Sequence, residues 1–194
     1  MSKRATIGLR EQALSSVLLL GSQRVVGILV TTLGGIVLAR MLAPDVFGTY
    51  VIMMFVVGLG IAGADLGLGA ALIQRRETDI ATTLQVVFAA QMGLSVCLGG
   101  VLAGFAPTVA ALLGLAPDAV ASFRFLVLLL PLATLRMPVA VLLERNLDFS
   151  PATLSETLDV VTFNVVAVAA AAAGWGVWSL VVGVLAARLC GLTV

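Results

Sequence analysis

The sequence has no histidine, only two cysteines, one tyrosine and two tryptophans, and charged residues make up 11% of its 194 positions. Soluble domains carry about 25% charged residues, so this chain has too few ionised side chains to cover a water-facing surface. The lack of histidine excludes imidazole acid–base catalysis and most zinc sites. Cys97 and Cys190 stand far apart within apolar stretches, which reads as small buried thiols in lipid-embedded helices and not as a disulfide or metal pair. A net charge of +1 leaves no basic footprint for nucleic acid. The chain shows no nucleophile–base set, no lysine-bearing phosphate loop and no suitably spaced carboxylate pair, so neither an enzyme nor a cofactor or metal is expected. Gly58, Gly60 and Gly63 form a G-x-G-x-x-G string, but it lies in an apolar run without the strand-to-helix context of a dinucleotide site.

Apolar side chains dominate instead. Hydrophobic residues reach 61% before the 20 glycines are counted, and the mean hydropathy is +1.17. A spanning helix needs about 20 mostly apolar residues. Such windows predict an all-α polytopic bundle of six transmembrane helices, at about 13–39, 49–73, 84–106, 122–143, 158–173 and 177–192. Linkers are short, and the whole chain, 1–194, reads as one membrane domain with no soluble part. The basic start resembles the front of a signal peptide, yet the apolar run continues past Gln23 and Arg24 without a small-residue cleavage site. An uncleaved first helix is expected.

Positive charge sets the expected orientation. Lys3, Arg4, Arg10, Arg75, Arg76 and Arg145 fall on one side of the predicted bundle, while Arg40 and Arg124 fall on the other. The positive-inside rule then puts both termini in the cytoplasm, and Trp175 and Trp178 at the outer interface where indoles prefer to sit. The longer outer linker, 107–121, carries Val109, Leu112 and Leu113 at helical spacing and reads equally as a tight turn or a short interfacial helix.

Ionisable groups within a bilayer are costly and need a partner, a hydrated cavity or a purpose. Arg24, Asp65, Arg136, Asp159 and Arg188 all fall in the inner half of the predicted spans or near the midplane, joined by Gln23, Gln85, Gln91 and Asn164. In one reading Arg24 or Arg136 pairs with Asp65 or Asp159 and staples helices together. In the other, Arg24, Gln23, Arg136 and Asn164 line a cavity open to the cytoplasm, where the planar arginine fork suits phosphate. Asp65, within a run of small residues, and Asp159, near the interface, read first as structural or pairing residues. Pro131 and Pro138 flank Arg136 in one predicted helix, which should be bent or broken there, and both are hinge candidates. Gly100, Gly104 and the alanine run 167–173 read as close-packing faces.

Four local patterns carry a family resemblance. They are Leu38-Ala39-Arg40-Met41-Leu42-Ala43-Pro44-Asp45-Val46-Phe47-Gly48-Thr49-Tyr50, Asp65-Leu66-Gly67-Leu68-Gly69-Ala70-Ala71-Leu72-Ile73-Gln74, Glu144-Arg145-Asn146-Leu147-Asp148-Phe149 and Gly174-Trp175-Gly176-Val177-Trp178-Ser179-Leu180-Val181. In this order and spacing the chain resembles the O-antigen and exopolysaccharide flippases of the multidrug/oligosaccharidyl-lipid/polysaccharide exporter superfamily. The resemblance implies a bacterial inner-membrane transporter that moves a polyprenyl-pyrophosphate-linked oligosaccharide to the outer leaflet. It further implies two helix bundles rocking about a central, often cationic cavity, consistent with Arg24 as a pyrophosphate ligand. No universal family motif transfers residue by residue. Such transporters carry about twelve to fourteen spans, so the resemblance covers a first bundle alone. The expectation is a fragment, a truncated frame or half of a split transporter, whose partners are membrane lipid, the lipid-linked sugar and a second six-helix half or subunit. A drug or cation antiporter of the same superfamily and a non-transporting membrane assembly subunit are the alternatives. The antiporter would favour acidic residues where this chain's spans carry arginines.

Overall fold

The computed structural model describes residues 27–65, 80–145 and 150–192, and within them the backbone is helical with short turns and no strand. Helices α1 (Gly27–Met41) and α2 (Pro44–Asp65) meet at a corner set by Pro44. The residue before a proline is pushed out of helical conformation, which stops α1, while the fixed φ of proline suits the first turn of α2. Next, α3 (Ile80–Gly104) bends at Phe105 into a short α4 (Ala106–Leu112) with Pro107 in its first turn. Pro107 has no N–H to offer the Ala103 carbonyl four residues back, and Arg124 Nε donates to that oxygen instead, at 3.2 Å. Of the two forms expected for the 107–121 linker, the helix is the one present.

Helices α5 (Ala119–Leu126) and α6 (Leu129–Arg145) follow a single path interrupted at Val127 and Leu128. The break falls one turn before Pro131, where the missing proline N–H leaves the Val127 carbonyl to accept from Leu130 N–H at 3.0 Å. Pro138, by contrast, sits inside α6 without interrupting it. The expected distortion is therefore one break, displaced upstream of both prolines. Finally α7 (Ser150–Ala172) and α8 (Val177–Cys190) form a hairpin, the most extensive helix pairing among the described residues. A Cβ on Gly183 would lie 2.9 Å from the Ala167 Cβ and 3.2 Å from the Phe163 carbonyl, so glycine is what lets these helices approach. Ala167 and Ala171 are buried in that seam. Gly100 and Gly104 instead face open space, because α3 turns the neighbouring Gly99 towards Val127. Cys97 is likewise on the outward surface of α3 and not a buried thiol.

The α5–α6 path is the centre of the fold. Phe123, Leu126, Val127, Leu129 and Leu130 are buried against Met53 and Val57 of α2 and Val181 and Val184 of α8. A second cluster joins Leu38 and Leu42 of the first corner to Ala167, Ala171 and Leu180. Outward faces are equally apolar: on α2, Met53 and Val57 are fully buried while Phe55 is 66% exposed. Helices that are apolar on every side, with much of that surface uncovered by the described residues, require lipid around them. The chain is a multi-pass membrane protein.

Four helical stretches have the length and apolarity of a span: Pro44–Asp65, Thr82–Gly104, Ala119–Val139 and Leu154–Ala172. Val177–Cys190 occupies the sixth expected position but is shorter, and Gly27–Met41 is the described part of the first, whose residues 13–26 lie outside the described residues. The sixth, with 14 residues, is about 21 Å long at 1.5 Å per residue, against a hydrocarbon core of about 30 Å. Among the described residues four helices thus have span length, and two further apolar helices stand at the first and sixth expected positions. The helices alternate in direction, which gives the bundle two ends. The α1–α2 corner, the start of α5 and the α7–α8 turn share one; the far parts of α6 and α8 and the start of α7 share the other.

Candidate functional site

The second of those ends holds a charged cluster. Arg136 projects from α6 about two and a half turns before its end. It reaches Ser155 and Asp159, which sit four residues apart on one face of α7. Its Nη1 donates to Asp159 Oδ2 at 2.6 Å. Its Nη2 donates to Ser155 Oγ, to the Gly191 carbonyl at 3.2 Å and to Asp159 Oδ1 at 3.4 Å. The Ser155 hydroxyl in turn donates to the Gly191 carbonyl at 3.1 Å. Gly191 closes α8, and a Cβ there would overlap both the guanidinium and the carboxylate. Three helices are thus tied together at one point by side chains that no apolar contact could replace in kind.

A second cation joins this cluster, since Arg188 Nη1 donates to Asp159 Oδ2 at 3.1 Å. The side chains of Arg136 and Asp159 are 22% and 14% exposed, but that of Arg188 is 46% exposed. Two guanidinium groups on one carboxylate leave the cluster net positive. Arg136 has its donors directed at protein groups, whereas Arg188 is hydrogen-bonded, among the described residues, to Asp159 and has nearly half of its side chain exposed. Arg188 is the more exposed of the two cations, and a guanidinium fork is the donor set that suits a pair of phosphate oxygens. Arg188 is the residue that sequence reasoning passed over as a site. In the last turn of an apolar helix a cation simply complements the helix dipole, and nothing local signals the shared carboxylate.

The other expected site residues are distributed differently. Gln23 and Arg24 lie outside the described residues. Asn164 is 8% exposed, donates from Nδ2 to the Val160 carbonyl at 2.7 Å and packs against Gly34 of α1, where a Cβ would overlap its amide. Asp65, at the end of α2, accepts from Gln91 Nε2 at 3.0 Å and is not joined to Arg136. Gln91 is 4% exposed, and its Oε1 has no hydrogen-bond partner among the described residues. One turn along α3, Ser95 is hydrogen-bonded at 2.5 Å to Thr134 of α6, whose hydroxyl donates to the Leu130 carbonyl. This buried polar pair pins α3 to the helix that carries Arg136. The structure therefore brings Arg136 and Asp159 together, and leaves Asn164 and Asp65 in separate contacts.

Comparison with known proteins adds an independent line. A family described as "Polysaccharide biosynthesis protein" matches residues 37–194. The succinoglycan biosynthesis transport protein ExoT of Rhizobium meliloti (strain 1021) is 30% identical over 157 residues, covering 81% of this chain and 31% of that protein. The chain thus spans about a third of the length of the relative it matches. No solved structure matches it.

Proposed function

The chain belongs to the polysaccharide biosynthesis protein family, and from that premise we propose that it forms one six-span lobe of a flippase for polyprenyl-pyrophosphate-linked oligosaccharide. The observation that carries this reading is the family match over 37–194, which takes in all of α2 to α8. The transport role in the relative's name points the same way. On this reading the protein resides in the bacterial inner membrane with both termini in the cytoplasm, as the excess of lysine and arginine on one side favours. The arginine cluster then faces the cytoplasmic leaflet, where the lipid-linked sugar is assembled.

Arg24 and Arg188 are the cations we assign to the pyrophosphate, with Gln23 beside the first. Arg136 and Asp159 hold Arg188 in place, and Asn164 sets the spacing of α1 and α7. The break at Val127–Leu128, created by Pro131, is the point at which the central path bends as the lobe moves. One bundle forms one wall of a cavity, so rocking between inward- and outward-open states requires a second bundle, on the same polypeptide or a partner. Deleting the coding region in its host should abolish surface polysaccharide and leave lipid-linked oligosaccharide in the inner leaflet. Unchanged polysaccharide with no lipid-linked intermediate accumulating would refute the reading.

A further inference from the structure

At the end of the bundle opposite the arginines, a cavity of about 280 Å³ opens between the start of α2, the residues before α5 and the α7–α8 turn. Its walls include Asp45, Thr49, Asp118, Trp175 and Trp178, and no arginine or lysine among the described residues lines it. We propose that this cavity is a saccharide subsite that takes a neutral sugar ring, stacked on indole and hydrogen-bonded to the two carboxylates. The proposal rests on the polysaccharide-transport reading above and adds to it a place where the sugar itself is held.

The aromatic wall is preset. Gly174 and Gly176 adopt φ of 79° and 54°, left-handed values that side-chain-bearing residues rarely take, and they turn the chain sharply around Trp175. Trp175 N–H bonds the Ala170 carbonyl at 3.2 Å, and the Trp175 carbonyl accepts from Trp178 N–H at 3.1 Å. The Trp178 ring meets Phe125 edge-on with centroids 5.2 Å apart, while Trp175 stays 54% exposed. A pyranose has an apolar face of C–H bonds that lies flat on such a surface, and a rigid wall lowers the ordering cost of binding.

The carboxylates supply the polar half. Asp118 stands at the N-cap of α5 yet makes no side-chain capping bond, and Asp45 lies in the first turn of α2. Neither is in an ion pair among the described residues, and sugar hydroxyls are donors that bind carboxylates through charge-assisted bonds. The same two charges repel uronates and phosphates, so the cavity selects neutral rings and leaves the pyrophosphate to the arginine end. Its volume sits at the lower edge of the roughly 300–1,000 Å³ range of small-molecule pockets, the scale of a sugar ring and not of a polyprenyl chain. A calcium-type cation wants six to eight oxygens around it and gains nothing from indoles.

Trp175 and Trp178 are the chain's two tryptophans, so tryptophan emission, excited selectively over tyrosine, reports on this cavity. The test titrates the full chain, in lipid nanodiscs, with methyl β-D-glucopyranoside and cellobiose, and separately with glucuronate, sodium pyrophosphate and calcium chloride. Saturable emission changes with the neutral glycosides are expected, and none with pyrophosphate or calcium. Asp118→Asn should weaken glycoside binding about tenfold, the worth of one charge-assisted hydrogen bond. Trp175→Phe should retain part of the binding, and Trp175→Ala, followed through Trp178, should lose it. No response to either glycoside, an equal response to glucuronate, or saturation by calcium alone would overturn the proposal. So would a Trp175→Ala protein that binds glycoside normally, since the indole then serves only as an interface anchor. Loss of export on gene deletion without any glycoside response rejects the subsite and spares the transport reading. Glycoside binding in a chain whose deletion leaves export intact does the reverse.

Discussion

The two ends of the bundle handle charge in opposite ways. At one, Arg136, Asp159 and Arg188 converge from three helices on a shared carboxylate, with Ser155 and the Gly191 carbonyl completing the set. At the other, Asp45 and Asp118 stand at helix starts around a cavity walled by indoles, unpaired among the described residues. The first arrangement is cohesive: removing a member leaves a desolvated partner. The second is receptive, because its acceptors have no internal donor. A bundle that is apolar almost throughout thus gathers a cationic cluster and a carboxylate-lined cavity at two separated places.

Which end faces the cytoplasm gives the largest expected effect, an on-or-off signal. Reporters active only outside the cytoplasm should work when fused after Asp118 or near Trp175, and fail after Arg76 or Arg145. The inverse pattern would exchange the roles of the two ends. Next in size is the staple itself. Arg136→Ala leaves Asp159 without its principal donor, and breaking such a pair costs about 3–5 kcal/mol. Membrane abundance should fall sharply, whereas the double change Arg136→Met with Asp159→Leu should recover most of it. Equal losses in single and double variants would mean that the cluster is not acting as a pair.

The hairpin that carries residues to both ends offers the third comparison. Gly183→Ala forces a methyl against Ala167 and the Phe163 carbonyl, and overpacking of this kind costs about 1–3 kcal/mol. The melting temperature in detergent should drop. Gly100→Ala, which meets open space, should leave it unchanged. Smaller again is the aromatic contact at the outer end: Phe125→Leu should remove about 0.5–1.5 kcal/mol of edge-to-face interaction with Trp178 and shift its emission. The smallest stability effect belongs to Arg188→Gln, since a half-exposed ion pair is worth about 0–1 kcal/mol. Export in the complete transporter should nonetheless fall if Arg188 meets the pyrophosphate. A variant that folds and exports normally would confine the cationic role to residues elsewhere.

The legible part of this molecule was the part written in hydrophobic runs. Lipid is a uniform solvent, so about twenty apolar residues between polar punctuation announce a helix whatever it packs against, and among the described residues each expected window overlaps helix. Proline chemistry was legible too, though not its exact consequence. Pro131 acts through the carbonyl four residues earlier, which is why the break appears at Val127–Leu128 and Pro138 passes unmarked. The glycine faces were misread for a related reason. Gly99 and Gly100 are neighbours in an apolar helix, and only the rotation of α3 against Val127 decides which of them packs.

Composition and periodicity by themselves determined that the chain is helical, lives in a membrane and carries a handful of expensive polar groups that need partners. The pairing of those groups was a tertiary matter. Twenty-three residues separate Arg136 from Asp159 and a further twenty-nine separate Asp159 from Arg188, and no local rule joins positions on three different helices. The same holds for the opposite end, where Asp45, Asp118 and Trp175 come together only because alternating helices return the chain to one side of the bundle. Solvent transfer depends on what each residue is, which a sequence states outright. Pairing depends on where helix rotation and helix spacing place two side chains, and the packing of α5–α6 against α2 and α8 sets both.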